Sequence, residues 1–355
     1  MAKVLIYMKV LSYNSSILIK NKGIFMKTTK TITLALLSAI FFLIGCNSNS
    51  SSDTILPNSI EVNASGLYPE GISYNSKDKR FYLGSYHQGK IVSLDSEGKL
   101  YPFAEDESLI TIVGVEIDEK NNRLIACNTD LGFSVKSSNA TIAQLAKVEV
   151  YDLSTQKKIQ TYDLSTLYQG GHFVNDLTLD KAGNIYVTDS FSPVIYKIAM
   201  DSTLSIFAQD DRFVTEQGQF GLNGIVSSDD YLIVAKSEGA KLFKIALDNG
   251  ENIQEIEVDK NLNSIDGLLL NAKNELLVSS NNFVGQGYDE AVYKLSSSDT
   301  WKSATVIDTF KVEGNVYPTT LTNIDNTVYV NHSYLPKLIK KEPNHAMFKI
   351  QKVVF

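Results

Sequence analysis

From residue 59 onward the chain alternates apolar and polar residues in short runs broken by Gly, Asn, Asp and Ser. That alternation marks strands with one face buried. Six runs share one rhythm and end on small or polar residues: "RFYLGSY", "RLIACNT", "NIYVTDS", "YLIVAKS", "ELLVSSN" and "TVYVNHS". Each is preceded by another strand pattern ("EGISYN", "VGVEID", "NDLTLD", "NGIVSS", "DGLLLN", "TTLTNI") and followed, after a loop, by a third ("KIVSLDS", "KVEVYDL", "VIYKIAM", "KLFKIAL", "AVYKLSS", "AMFKIQK"). A fourth strand closes the first five units: "KLYPFAE", "KKIQTYD", "TLSIFAQ", "QEIEVD" and "ATVIDTF". The sixth has none, but an orphan strand, "SIEVNA", stands at Ser59 to Ala64.

Repeated four-stranded units are the signature of a β-propeller. The expected fold is therefore all-β: a six-bladed propeller over 59–355, with the N-terminal strand completing the last blade. Such closure removes the exposed edges an open array would leave. A β-sandwich accounts poorly for six quartets.

The first strand of a propeller blade lines the central channel. Aligning the six first strands brings Glu70, Val113, Asn175, Asn223, Asp266 and Thr319 to one register. Two carboxylates and two amide oxygens converging on one axis make a hard-cation site. Calcium, with its preference for about 6 to 8 oxygen ligands, is the first expectation. Taken singly, Asn and Asp before a strand are turn residues; four in one register are not explained that way. Asp176, beside Asn175, reads as pointing the other way, as turn or rim chemistry. Zinc lacks support, because His87, His172, His332 and His345 are dispersed and no ligand-spaced Cys cluster exists.

The second strand returns to the face where the first began, which places His87, Asp130, Asp189, Lys236, Asn281 and His332 at the channel rim. Their sequence reading is divided between loop solvation, proton transfer and substrate contact. Two enlarged loops, after Asp130 and after His332, should lie over the same mouth.

The N-terminus reads as processing signal rather than fold. "MKTTKTITLALLSAIFFLIGC" carries a basic start at Met26, an apolar run, and a Cys that resembles a bacterial lipobox. Residues 1–25 are then an upstream extension, 26–45 a lipoprotein signal peptide, Cys46 the lipidated residue, and 46–58 a polar tether. This places the protein in the bacterial cell envelope, lipid-anchored at the outer membrane or periplasmic face, with no other membrane contact. Cys127 remains as a single thiol in a strand pattern, so no internal disulfide is expected after processing. A net charge of -7 and scattered lysines exclude a nucleic-acid partner, which needs a clustered basic surface.

The ordered set "PEGISY", "VNDLTLDKAGNIYVTDS", "LNGIV" and "IDGLLL" resembles the gluconolactonase, regucalcin and senescence-marker family, and more distantly the diisopropyl fluorophosphatase propellers. The resemblance spans the whole of 59–355. It implies one divalent cation, commonly calcium, in the channel, with Glu70, Asn223 and Asp266 matching metal ligands and Asn175 a position that contacts metal or substrate. It also implies that Asp266 is a general base or nucleophile, and that substrates are sugar lactones or related esters. The loop insertions and the lipoprotein signal depart from compact soluble members, and no substrate-specific arginine can be matched. The expected activity is a metal-dependent hydrolysis of a small-molecule lactone or ester. The competing reading is a propeller that binds a ligand or protein and holds a structural calcium. A strictosidine synthase-like relative, without metal chemistry, is disfavoured by the four-residue set.

Overall fold

The computed structural model describes residues 56–282 and 289–355. The upstream extension, the signal segment, Cys46 and the tether through residue 55 lie outside the described residues.

Six sheets are present, each antiparallel through its four main strands. Their inner strands are Pro69–Asn75, Thr111–Asp118, Val174–Leu179, Leu222–Ser227, Ser264–Leu270 and Pro318–Ile324, which begin blades 1 to 6 in order. Each inner strand touches the inner strands of both neighbouring blades, and the sixth touches the first, so the ring is closed. Blade 6 takes its outermost strand from the N-terminus: Ser59–Asn63 pairs with Met347–Lys352, Ser59 opposite Gln351 and Asn63 opposite Met347. The alternation of "SIEVN" explains the placement. Ile60 and Val62 are buried while Ser59, Glu61 and Asn63 face water.

One strand departs from the sequence reading. "QEIEVD", expected to close blade 4, divides: Ile253–Glu255 pairs with blade 4, and Glu257–Val258 runs parallel beside the outer strand of blade 5, Ser303–Val312. The side chain between the two, Ile256, is buried against Leu242 and Ile265, which ties the crossover to the seam between the blades.

The core is not one mass but a set of seams between adjacent blades. Tyr82, Ile91 and Phe103 of blade 1 pack on Val115 and Leu124 of blade 2; Tyr186 and Ile195 of blade 3 pack on Ile225 and Phe243 of blade 4. Leu277 and Val292 of blade 5 meet Leu321 and Val330 of blade 6, and Phe348 and Val62 of blade 6 meet Phe81 and Leu83 of blade 1. Burial declines from the inner strands, nearly all buried, to outer strands such as Leu100–Glu105.

Among the described residues no helix is long and apolar enough to cross a membrane. The short helix α1, Leu335–Ile339, sits in the enlarged loop of blade 6.

Candidate functional site

Every inner strand carries the same irregularity. Its pairing with the second strand breaks after its opening residues, between Pro69 and Ile72, Ile112 and Val115, Val174 and Leu177, Leu222 and Ile225, Ile265 and Leu268, and Pro318 and Leu321. The two residues inside each break are Glu70-Gly71, Val113-Gly114, Asn175-Asp176, Asn223-Gly224, Asp266-Gly267 and Thr319-Thr320. The six positions aligned in the sequence are thus the first bulge residue of six equivalent bulges, and a bulge re-aims a side chain out of the ladder.

The second bulge position explains its glycines. A Cβ on Gly71 would lie 2.1 Å from the carbonyl oxygen of Val113, and one on Gly224 would lie 2.3 Å from that of Asp266. Neighbouring inner strands approach this closely around the axis, so a side chain is excluded. Blade 3 departs from the pattern with Asp176. Its carboxylate accepts from the backbone N–H of Leu177 at 2.9 Å and of Ile225 at 3.3 Å. It stands beside Gly114, whose Cβ would lie 3.0 Å from an Asp176 oxygen. Asp176 therefore lies against the blades on either side of it.

Glu70, Asn175, Asn223 and Asp266 are all buried, each less than a tenth exposed. Their partners repeat from blade to blade. The Asn175 amide donates to Ser190 Oγ at 2.9 Å, and Ser190 Oγ donates to the carbonyl of Leu222, the residue before Asn223. The Asn223 amide donates to Ser237 Oγ at 3.0 Å, and Ser237 donates to the carbonyl of Ile265, the residue before Asp266. Asn281 Nδ2 donates to Asp266 Oδ2 at 2.6 Å and to the carbonyl of Pro318. Asn331 Nδ2 donates to Thr319 Oγ1 at 3.0 Å and to the carbonyl of Pro69 at 2.7 Å. In blades 3 to 6 the end of the second strand thus anchors its own bulge residue and the backbone just before the next one.

This relay uses the amide nitrogens and leaves oxygens over. Glu70 Oε2 and Asn175 Oδ1 are buried without a hydrogen-bond partner, as are Asn281 Oδ1 and Asn331 Oδ1. Burial raises the Glu70 carboxyl well above the usual carboxylate range, reinforced by the charges of Asp266 and Asp176. Burial and Asp176 push Asp266 up to about 7, against donors from Asn281 and Asn223. Asp176 itself is pushed by burial up to about 7. One turn of the strand further on, Glu116 of blade 2 is pushed up to about 8 by burial, then by Asp176 and Asp118. Unpaired acceptor oxygens among mutually repelling carboxylates are what a hard cation satisfies, so the residues fit one. Among the described residues no group of three or more His, Cys, Asp and Glu converges as a metal site; the set here is two carboxylates and two amides.

The residues placed at the rim by sequence have partners within the protein. Asp189 is fully buried: it accepts from the N–H groups of Phe173, Phe191 and Ser192, and from His172 Nδ1 at 2.8 Å. Burial pulls His172 down, but the hydrogen bond and charge of Asp189 outweigh it and raise the imidazole. Asp130 accepts from Gly132 N, Ser137 Oγ and Thr141 Oγ1, which shapes the enlarged loop of blade 2. Lys236 donates to the carbonyl of Val214 and pairs with Glu238 at 3.0 Å. His87 Nδ1 meets the carbonyl of Phe133. His332 is fully buried, and burial pulls it down to about 3. Of the six, only Asn281 touches a proposed ligand. Cys127 is buried, with its thiol pushed up by burial.

Above the bulge ring the mouth is aromatic. A single apolar cluster joins Tyr68 and Tyr86 of blade 1, Val113 of blade 2, Phe173 of blade 3, and Tyr317, Leu335 and Leu338 of blade 6. The Tyr86 and Phe173 rings lie 6.5 Å apart although blade 2 separates their blades. The Tyr317 hydroxyl is held protonated by burial and then by the charge of Asp266, with Tyr86 and Glu70 adding to it. A cleft of about 670 Å³ lies at the opposite end, between the hairpins of blades 3 and 4, lined by Asp180, Tyr186, Asp229 and Lys244 among others. It does not reach the bulge ring.

No protein-family model matches the chain, and no curated protein matches it. Solved structures do. The major allergen Mala s 1 of Malassezia sympodialis aligns with TM-score 0.65 at 16% identity, covering 84% of this chain and 96% of that one. A gluconolactonase of Xanthomonas campestris aligns with TM-score 0.54 at 13% identity, covering 84% and 91%. A streptogramin B lyase aligns with TM-score 0.53 at 12% identity, covering 83% and 97%. The likeness shows the fold. It is a six-bladed propeller, and gluconolactonases, a luciferin-regenerating enzyme and a virginiamycin B lyase are among the solved structures it resembles.

Proposed function

We propose that this propeller is a divalent-cation-dependent hydrolase of a lactone or related ester, with Glu70, Asn175, Asn223 and Asp266 as the cation's protein ligands. The observation that carries the reading is the convergence of those four side chains at equivalent bulges, with buried oxygens of Glu70 and Asn175 unpaired. The presence of gluconolactonases among proteins of this fold supports the reaction class. A divalent cation, calcium by its taste for oxygen, would polarise the substrate carbonyl and offset charge developing on its oxygen.

The chain's own residues supply the rest. Ser190 and Ser237 hold the two amides by their nitrogens, which leaves the oxygens as the ligand atoms. Asn281 fixes Asp266 through one carboxylate oxygen, and this carboxylate is the group to take a proton from water or to attack.

The test is hydrolysis of a lactone and ester panel by the full-length protein, with calcium, with chelator, and as Asp266→Asn. Loss of turnover in both the chelated and the variant protein is expected. Turnover that survives both rejects the mechanism; a chelator-sensitive melting temperature with no turnover on any substrate would instead establish a binding propeller with a structural cation. The envelope anchor at Cys46 belongs to the same proposal. Cys46→Ala should move the protein from the membrane to the soluble fraction, and unchanged membrane association would remove the lipid anchor.

A further inference from the structure

Resting on the cation of that reading, we infer that Asn281 is a fifth protein ligand, its Oδ1 joining the oxygens of Glu70, Asn175, Asn223 and Asp266 around the ion. The side chain is fixed by its own donors. One amide N–H goes to Asp266 Oδ2 at 2.6 Å and the other to the carbonyl of Pro318 at 3.2 Å. The Pro318 carbonyl can only accept, and so can Asp266 when ionised, as a cation ligand must be; turning the amide over would set oxygen against oxygen. With both N–H groups spent, Oδ1 is left buried without a hydrogen-bond partner, on a residue only 1% exposed. An acceptor stranded in a dry site is costly unless something meets it. Beside a carboxylate that binds a cation, the cation is what meets it.

The repeat points the same way. Val174 stands opposite Asp189, Leu222 opposite Lys236 and Ile265 opposite Ser280. Asn281, which follows Ser280, is therefore the blade 5 counterpart of Ser190 and Ser237. In blades 3 and 4 the bulge carries an amide, and a hydroxyl from the second strand takes its nitrogen. Blade 5 inverts this: the bulge carries the carboxylate Asp266, and the amide stands on the second strand, where a serine would have one proton for two acceptors. Blade 5 thus brings two oxygen-bearing side chains, and the blades that bring none are 2 and 6. Blade 2 has Val113 at its bulge, and in blade 6 Thr319 Oγ1 is engaged, donating to the carbonyl of Glu70 at 2.7 Å and accepting from Asn331 at 3.0 Å. Asn331 also keeps a buried Oδ1 without a partner. It precedes His332, the residue opposite Pro318, so it stands two positions away from the place of Asn281 in the repeat, and its amide meets Thr319 and backbone carbonyls but no carboxylate. Five side-chain oxygens leave about one to three of calcium's positions for water or substrate.

The experiment counts the waters on a bound ion. Europium(III), a luminescent stand-in for calcium, reports them through its emission lifetimes in ordinary and heavy water. The full-length protein is compared with its Asn281→Ala, Asn281→Ser and Asn331→Ala variants. Asn281→Ala should gain about one water, and so should Asn281→Ser, which supplies the hydroxyl that blades 3 and 4 carry here and keeps a donor for Asp266. Asn331→Ala should gain none. Affinity alone does not discriminate, because losing a residue that merely holds a ligand also weakens metal binding by about 10–100-fold. Melting temperatures confirm that the variants fold, and Asn281→Ser decides if Asn281→Ala does not. An unchanged water count in the folded Asn281 variants overturns the inference and leaves Asn281 as a residue that positions Asp266. If the unsubstituted protein binds neither europium nor calcium, the cation reading itself falls and this ligand with it, a result distinct from bound europium with an unchanged count.

Discussion

Asp266 and Glu70 sit where two carboxylates repel each other in a dry channel, and their protonation decides how the site answers pH. Asp266 rises from an ordinary 3.8 to about 7, so between those values the folded chain holds a proton that the unfolded chain has released. Stability from such a group is fully present below about 4 and is lost as pH climbs through about 7. Without cation the protein is therefore expected to melt lower at pH 8 than at pH 5. Calcium competes with those protons, so the gain in melting temperature on adding it should be small at pH 5 and larger at pH 8. At a hundredfold excess over Kd the gain corresponds to about 2.7 kcal/mol. An equal gain at both values would remove these carboxylates as ligands. Asp266→Asn is expected to raise the melting temperature at pH 8 in chelator, by deleting a repelling charge, while abolishing the calcium gain. Asp176 shows where sequence reading stops at this scale. Strict alternation turns it away from Asn175, but a bulge sets two consecutive residues against one partner, and alternation fails there. The sign of its importance was present: an Asp where blades 1, 2, 4 and 5 carry Gly.

At the level of the strand, the repeated bulge is what converts six ordinary hairpins into a convergent site. Its glycines are a steric requirement and can be tested apart from chemistry. Gly71→Ala and Gly224→Ala force a methyl into a neighbouring carbonyl, and about 1–3 kcal/mol or more should be lost in urea unfolding. Gly170→Ala is the control: it is exposed and its nearest neighbour would lie 3.6 Å away, so a change within about 0.5 kcal/mol is expected. Similar losses at all three positions would mean that the bulge packing carries no special constraint. The register of Glu70, Asn175, Asn223 and Asp266 was legible because each opens a strand of one repeated pattern. The rim was less so. Adjacent strand residues face opposite sides, and the ends of the second strands do not show which residue turns inward. Ser190 and Ser237 face the bulge residues, whereas their neighbours Asp189 and Lys236 clamp the loop that leads into their own blade. Nor does an alternating pattern reveal that Glu257–Val258 changes blades, since both partners satisfy the same strand preference.

For the whole molecule, stability is distributed over seams between blades, and the ring holds only if the last seam closes. Ile60 and Val62 enter that seam from the N-terminal strand beside Phe348 and Ile350. Their burial is worth about 1.5–3 kcal/mol each, and the backbone pairing adds to it. Deleting residues 56–64 should lower the melting temperature sharply and yield larger species on size exclusion, because the blade 6 edge is left unpaired. A monomer of unchanged melting temperature would show that closure contributes little. The propeller and its closure by Ser59–Asn63 could be read from sequence because both depend on local alternation and on counting strands. The aromatic roof could not, since Tyr86, Phe173 and Tyr317 meet only after blades far apart in sequence are wound round one axis.

That same closure imposes an order in time. The first strand of the propeller to leave the ribosome is the last to find its place, because its partner, Met347–Lys352, is the last strand of blade 6 to be made. Throughout synthesis Ser59–Asn63 must wait, unpaired, while every blade in between is made. Contacts so distant in sequence form slowly. The completed ring, and with it the channel, is a property the chain acquires only once its sixth blade has been made.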